Sequence, residues 1–182
     1  MRTRSRSATR PGATRGISAA RTTSSGATTS PWPCCPGLTR HAVEPACATG
    51  ELTARLAGRC DRVSAFDGSP TVVAMAARRL AGFANVELAT AALPDYWPEA
   101  AVDLIVLSEF GYYFDAPTWT GIVERAVGHL ESHGTIVAVH WLGHSPAHAR
   151  HGDEVHHDLR VVLGPPRGAY RQPELRLDWW QR

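Results

Sequence analysis

The 182-residue chain contains no lysine, and all 19 of its basic residues are arginine. That bias is the mark of codon usage in a GC-rich genome rather than of a chemistry. No stretch approaches 18 consecutive apolar residues, so no membrane-spanning helix and no membrane partner are expected. The four cysteines (Cys34, Cys35, Cys47, Cys60) form no C-x-x-C pair, and no apolar signal-peptide core precedes them. A reduced, cytoplasmic setting follows as the expectation. Acid is missing from one end only: residues 1–40 hold seven Arg and no Asp or Glu, whereas residues 41–182 hold 12 Arg against 17 acids, a net of −5. The overall charge of +2 therefore averages two unlike segments. Phosphate backbones need clustered cations on a folded face, so no nucleic-acid partner is expected.

Residues 1–39 also lack any hydrophobic period and are built from Ser, Thr, Ala, Gly, Pro and Arg. Such a segment cannot bury enough apolar surface to offset its ordering entropy, and disorder is expected there. An organellar transit peptide shares the Arg- and Ser-rich composition but needs an amphipathic stripe that is absent. A third reading explains more. After a two-nucleotide shift of frame, Ala13-Thr14-Arg15-Gly16 is compatible with Asp-Pro-Trp followed by an acid or Gly. The same shift makes Ala20 to Thr23 compatible with Ser-Tyr-Tyr-Glu and Ser30 to Pro36 with Ala-Leu-Ala-Leu-Leu-Pro. The segment is expected to be a frame-shifted product joined to an authentic body near Gly37.

The body, residues 40–182, alternates strand and helix signals. A short apolar strand at His41 to Ala46 leads through a tight turn to a helix over Glu51 to Gly58, then a strand at Arg62 to Phe66. Ser69 and Pro70 open a helix running to about Ala81, and Asn85 to Thr90 alternates as a strand. Asp103 to Leu107, D-L-I-V-L, reads as a central strand covered on both faces. A helix over Pro117 to Glu131, a strand at Gly134 to Trp141, a helix over Glu154 to Leu163 and one final strand within Tyr170 to Trp180 complete the order. Alternation of this kind predicts an α/β fold with a doubly wound, mainly parallel sheet, whose ligands bind at the carboxyl ends of the strands.

Strand-end residues are therefore the candidates. Asp67 ends the second strand 20 residues after Cys47, the spacing at which an acid meets the ribose of an adenosine cofactor. The turn E-P-A-C-A-T-G is not G-x-G-x-x-G, which disfavours NAD without removing it. Glu44 would hold the turn, and Ala46, Cys47, Ala48 and Gly50 would be the residues of close approach, with alanines where Gly is common. Ser108 and Glu109 follow the central strand directly and precede F-G-Y-Y-F, so Glu109, Tyr112 and Tyr113 are candidates at the ligand edge, with His140 a candidate base. The set His144, His148, His151, His156 and His157 hints at metal spacing, but Pro146 and Gly152 interrupt it and no H-E-x-x-H is present. No metal is expected.

From Arg40 to Arg182 the chain resembles the NodS-like (nodulation protein S) S-adenosylmethionine (SAM) dependent methyltransferases. The resemblance rests on E-P-A-C-A-T-G-E-L-T-A-R-L-A, C-D-R-V-S-A-F-D-G-S-P, L-P-D-Y-W-P, D-L-I-V-L-S-E-F-G-Y-Y-F, V-A-V-H-W and L-R-L-D-W-W-Q-R. It implies a class I, Rossmann-like methyltransferase sheet, SAM as cofactor, catalytic roles for Glu109, Tyr112 and His140, and SAM contacts at Glu44, Ala46, Cys47, Gly50, Asp67, Leu93 and Ser108. It further implies a small-molecule acceptor such as the amine of an amino sugar or oligosaccharide, and N-terminal helices over the cofactor that residues 1–36 do not supply. Two alternatives remain open at this point, an inactive methyltransferase remnant and an NAD-dependent oxidoreductase. Nucleotide sequencing is expected to show the homologous helices in the shifted frame, and restoring them should tighten SAM binding measured by calorimetry. A clean gene with no homologous alternate frame would sink the frame-shift reading, and equal affinity with and without the helices would refute the expectation that the chain as written has weakened or absent activity.

Overall fold

The computed structural model describes residues 39–182, and the expectations for residues 1–38 lie outside it. The elements are β1 Thr39–Pro45, α1 Glu51–Ala57, β2 Cys60–Asp67, α2 Pro70–Leu80, β3 Val86–Thr90, β4 Val102–Ser108, a 3-10 turn Gly111–Tyr113, α3 Ala116–His129, β5 Leu130–Trp141, α4 Gly152–Leu163, β6 Gly168–Gln172 and β7 Leu175–Gln181. The strands form one sheet in the order β3-β2-β1-β4-β5-β7-β6. Strands β1 to β5 pair in parallel, whereas β7 runs antiparallel to both β5 and β6. This is the doubly wound, Rossmann-like sheet that alternation predicts.

Period-two alternation along each strand divides the interior in two. On one face Val43, Phe66, Ile105, Leu107 and Ile136 meet Trp119, Ile122 and Val123 of α3 and Val155 and Leu159 of α4. On the other, Ala42, Val63, Leu104, Val106 and Val137 meet α1 through Ala57, Leu52 and Leu56. The continuous apolar run of β4 follows from its central place, since both of its faces are covered.

Helix starts obey capping chemistry. Ser69 accepts the Val72 N–H at 3.4 Å with Pro70 in the first turn, as its sequence position predicts. Asp115 accepts the Thr118 N–H at 2.9 Å, which begins α3 at Ala116. His151 caps α4: it accepts the Asp153 N–H at 3.2 Å while Glu154 returns to the His151 N–H at 2.7 Å, so the helix starts two residues before the predicted Glu154. The largest departure is at the tail, where the single expected strand is the hairpin β6–β7. Pro173 has no N–H to extend a ladder, and the chain turns between Gln172 and Leu175. Strand β5 also starts earlier than expected, since Leu130 leaves α3 and pairs with Val102 across a register irregularity.

Trp119 anchors the α3 side. It is fully buried, donates its indole N–H to the Val155 carbonyl at 3.2 Å and meets Phe110 edge-on at 5.7 Å. Trp119→Ala is expected to lower unfolding free energy by about 3–5 kcal/mol in urea titration, the range for deleting a buried large aromatic.

Candidate cofactor and acceptor site

The turn after β1 is built from left-handed backbone. Ala46, Ala48 and Gly50 have φ of 52°, 48° and 75°. L-residues reach that region at a cost of about 1–2 kcal/mol each, so the two alanines need external restraint. It comes from backbone and from one carboxylate. The Cys47 N–H donates to the Phe66 carbonyl at 3.0 Å, and the Gly50 N–H returns to the Cys47 carbonyl at 3.0 Å. Asp67, half-buried at the tip of β2, accepts the Ala48 N–H on Oδ2 at 3.1 Å and the Ser69 N–H on Oδ1 at 2.9 Å. Each oxygen keeps a lone pair beyond these bonds.

Glu44 is the penultimate residue of β1, below the turn. It is 4% exposed, and its Oε2 accepts the Thr53 hydroxyl at 2.6 Å. Burial pushes its carboxyl up to about 7 against the opposing pull of Thr53. Cys47 and Gly50 lie within the turn, and core and helix surround them. The Cys47 side chain is buried and its thiol is pushed up to about 12, chiefly by burial, so it is packing and not a reactive group. A Cβ on Gly50 would stand 3.0 Å from Leu80 Cδ1, so the glycine serves both the left-handed turn and the approach of α2. Ala46 and Leu93 are half-buried against the α3-side core, and Ser108 is half-buried at the end of β4.

At the neighbouring tip of β4, Glu109 has φ 62° and donates its N–H to the Val139 carbonyl at 2.9 Å. Its Oε2 accepts the Tyr112 hydroxyl at 2.6 Å, while Oε1 is buried with no hydrogen-bond partner. Burial raises its pKa, opposed by the Tyr112 hydroxyl and by the Trp141 backbone. Tyr112 is itself buried, and burial together with Glu109 raises its pKa, so it stays a phenol that donates. The His148 ring stacks on Tyr112 at 3.8 Å and 18°, with Tyr113 and Trp141 edge-on to it at 5.2 and 5.9 Å. Tyr113 is exposed.

Residues 42–134 match the family model described as a methyltransferase domain. The chain belongs to this methyltransferase family. A structure from Pseudomonas syringae described as a methyltransferase is 34% identical, covers 81% of this chain and 90% of its own, and has a TM-score of 0.71. The N-methyltransferase NodS from Bradyrhizobium japonicum WM9 is 19% identical over 80% of this chain and 87% of its own, at a TM-score of 0.70. The same enzyme in complex with S-adenosyl-L-homocysteine (SAH) is 20% identical over 80% of this chain and 79% of its own, at a TM-score of 0.68. The two NodS likenesses show a shared fold. No curated protein sequence matches the chain.

The methyltransferase is SAM-dependent, which displaces the NAD-dependent alternative. The residues present fit the cofactor: an exposed left-handed turn at Ala48, a carboxylate at Asp67 with spare lone pairs, and a poised carboxyl at Glu44.

His140, expected as a catalytic base, is placed otherwise. It is fully buried, its Nε2 accepts the Gly111 N–H at 3.2 Å, and its Nδ1 lies 3.2 Å from His156 Nε2, so neither nitrogen is open to an acceptor. The downstream histidines disperse as well: His151 caps α4, His148 stacks on Tyr112 and His156 enters the core. Among the described residues no group of three or more His, Cys, Asp or Glu side chains is gathered for a metal. A groove of about 400 Å³ lined by His41, Ser64, Phe66, Glu87, Tyr96 and Glu99 runs along β2 and β3 and reaches Phe66, the residue before Asp67.

Sequence reasoning missed the stacked His148 and the buried pairing of His156 with Asp178. Asp178 carried a usable signal, an acid flanked by Leu177 and Trp179 within an apolar strand, as did His156 on the apolar face of α4 beside Val155 and Leu159.

Glu44 gives the protein a pH signature. Its folded pKa of about 7 lies above the unfolded 4.5, so between these values the native state keeps a proton that the unfolded chain has released. Its stabilising contribution is complete below the unfolded value and is lost as pH rises through the folded one, a decline of at most about 3 kcal/mol. Urea unfolding from pH 5 to 8 is expected to show this decline in the wild type and a flatter profile in Glu44→Gln.

Proposed function

We propose that this enzyme methylates the amine of a small molecule, with an amino sugar or the amino end of an oligosaccharide as the acceptor class. One observation carries the reading: a buried Glu109 oxygen without a partner stands beside the Tyr112 hydroxyl at the strand tip next to the cofactor turn. An orphaned carboxylate oxygen is costly unless a donor arrives, and an amine or ammonium is such a donor. Tyr113, Trp141 and His148 add ring faces and edges nearby, surfaces that suit a cation or the C–H face of a sugar. The NodS resemblance points to the same acceptor.

When bound, SAM supplies an electrophilic methyl group on a sulfonium. Asp67 would hold the ribose hydroxyls, the turn backbone from Ala46 to Gly50 would approach the cofactor, Leu93 would wall the adenine, and Ser108 would border the transfer centre. Glu44 would face the cationic methionyl end, where a neighbouring positive charge favours its ionised form. Glu109 and Tyr112 orient the amine so that its lone pair points at the methyl group, a positioning role. Glu109 then receives the proton that the methylated nitrogen sheds; its raised pKa suits it to that step. The catalytic domain is read as residues 40–182, with Thr39 already in β1. A methyltransferase fold that has lost turnover is the second reading, favoured by the two alanines held at φ 52° and 48° in the cofactor turn.

Calorimetry with SAH and an assay of SAH released from SAM with glucosamine as acceptor test these readings. Expected are SAH binding, glucosamine-dependent turnover, about tenfold or greater loss of SAH affinity in Asp67→Ala, and about 100-fold lower turnover in Glu109→Gln with SAH affinity retained. Binding without turnover of any amine would favour the inactive reading, and turnover confined to hydroxyl acceptors would sink the amine assignment.

A further inference from the structure

The geometry points to a one-way hydrogen-bond chain, Gly111 to His140 to His156 to Asp178, as the device that positions the acceptor-side turn. Four elements contribute one member each: the 3-10 turn, β5, α4 and β7. The links are Gly111 N to His140 Nε2 at 3.2 Å, His140 Nδ1 to His156 Nε2 at 3.2 Å, and His156 Nδ1 to Asp178 Oδ2 at 3.0 Å. His140, His156 and Asp178 are each 0% exposed.

The proton inventory permits one arrangement. A backbone N–H only donates, so His140 Nε2 must be bare and a neutral His140 carries its proton on Nδ1. That proton faces His156 Nε2, which must accept, and His156 in turn carries its proton on Nδ1 toward Asp178. Both imidazoles are neutral and Asp178 is the anion. Burial disfavours charge on both rings, more strongly for His140, and the His156 and Arg176 hydrogen bonds hold Asp178 below the usual carboxylate range despite its burial. Charges of both signs face the chain: Arg176 donates to Asp178 Oδ2 from Nε at 3.1 Å and Nη2 at 2.9 Å, Arg160 Nε lies 3.5 Å from the same oxygen, and the Asp153 carboxylate, bound by Arg176 Nη1 at 2.9 Å, acts on His156 from the other side of that arginine. Asp178 Oδ1 has no partner, so the charge of the carboxylate is answered on one side.

The chain ends on an amide that cannot take up a proton, so it relays none. Its product is position. Gly111 sits so closely on this network that a Cβ there would stand 2.9 Å from His140 Nε2, 2.5 Å from Val155 Cγ1 and 3.1 Å from Trp119 Cη2. Gly111 lies between Glu109 and Tyr112, the two residues whose mutual bond presents the orphaned oxygen. The Ala149 N–H donates to the Tyr112 carbonyl at 2.9 Å and holds the turn from the other side. His140, His156 and Asp178 are therefore positioning residues that act through Gly111.

The functional half of this inference rests on the acceptor reading above; the hydrogen-bond chain itself does not. Nitrogen NMR of the full chain labelled in histidine is expected to show His140 and His156 as neutral Nδ1–H tautomers. An Nε2–H tautomer or an imidazolium at either would overturn the proposal with no variant needed. His140→Gln places an amide oxygen where Nε2 was and keeps the Gly111 bond, whereas His140→Asn is too short to reach it. With glucosamine as probe, H140N is expected to lose about tenfold or more in kcat and to lose protection of the Gly111 amide from hydrogen exchange. H140Q should recover most of both, and SAH affinity should stay within about twofold in each. Equal behaviour of the two variants, or a parallel loss of SAH affinity, would overturn the proposal. If the wild type turns over no amine, the acceptor reading fails, and the tautomers and Gly111 exchange still decide this one.

Discussion

The carboxyl edge of the sheet depends on the Asp67 carboxylate, which grips two turns at once. One oxygen holds the Ala48 N–H of the turn after β1, and the other holds the Ser69 N–H that opens α2. The first of these turns contains two alanines in left-handed backbone, a conformation that persists only where the surroundings over-determine it. The parallel pairing of β1 with β2 sets the distance that makes the grip possible, aligning Pro45 with Phe66 just below the tips. A ribose ligand at Asp67 would therefore meet a carboxylate already oriented by protein donors and still able to accept.

A second constraint runs beneath that edge, in polar groups taken out of water. Glu44 answers burial by remaining protonated to about neutral pH, with Thr53 satisfying one oxygen. Glu109 is relieved on one oxygen by Tyr112 and left bare on the other. The two histidines answer it by staying neutral and passing hydrogen bonds to a carboxylate whose charge Arg176 balances. A buried polar group is tolerable when paired, so the Glu109 oxygen that is not paired is informative. Among the described residues Trp97 Nε1, Arg150 Nη1 and Asp178 Oδ1 are also buried without a partner, but Glu109 Oε1 is so at a strand tip, where an acceptor would enter.

Much of this was legible in residues. Strand order, the Ser69–Pro70 helix start and the strand-end positions of Glu44, Asp67 and Glu109 follow from periodicity, capping and spacing, which act over a few residues. The hairpin at the tail was not, although Pro173 marked its turn, because Leu175, Leu177 and Trp179 already alternate as one strand. Cys47 and Gly50 were placed correctly in the turn, but their side-chain surroundings belong to the core and to α2, elements remote in sequence. His140 stood at its predicted strand end, yet its partners come from residues 16 and 29 positions away.

The sequence by itself determined the alternation of strands and helices, the cofactor half-fold and the family, because these depend on local order along the chain. Tertiary structure alone decided which ionisable groups are free to react. Burial and hydrogen-bond pairing are properties of side chains brought together across the sheet, and they seal His140 and His156 while leaving one oxygen of Glu109 without a partner.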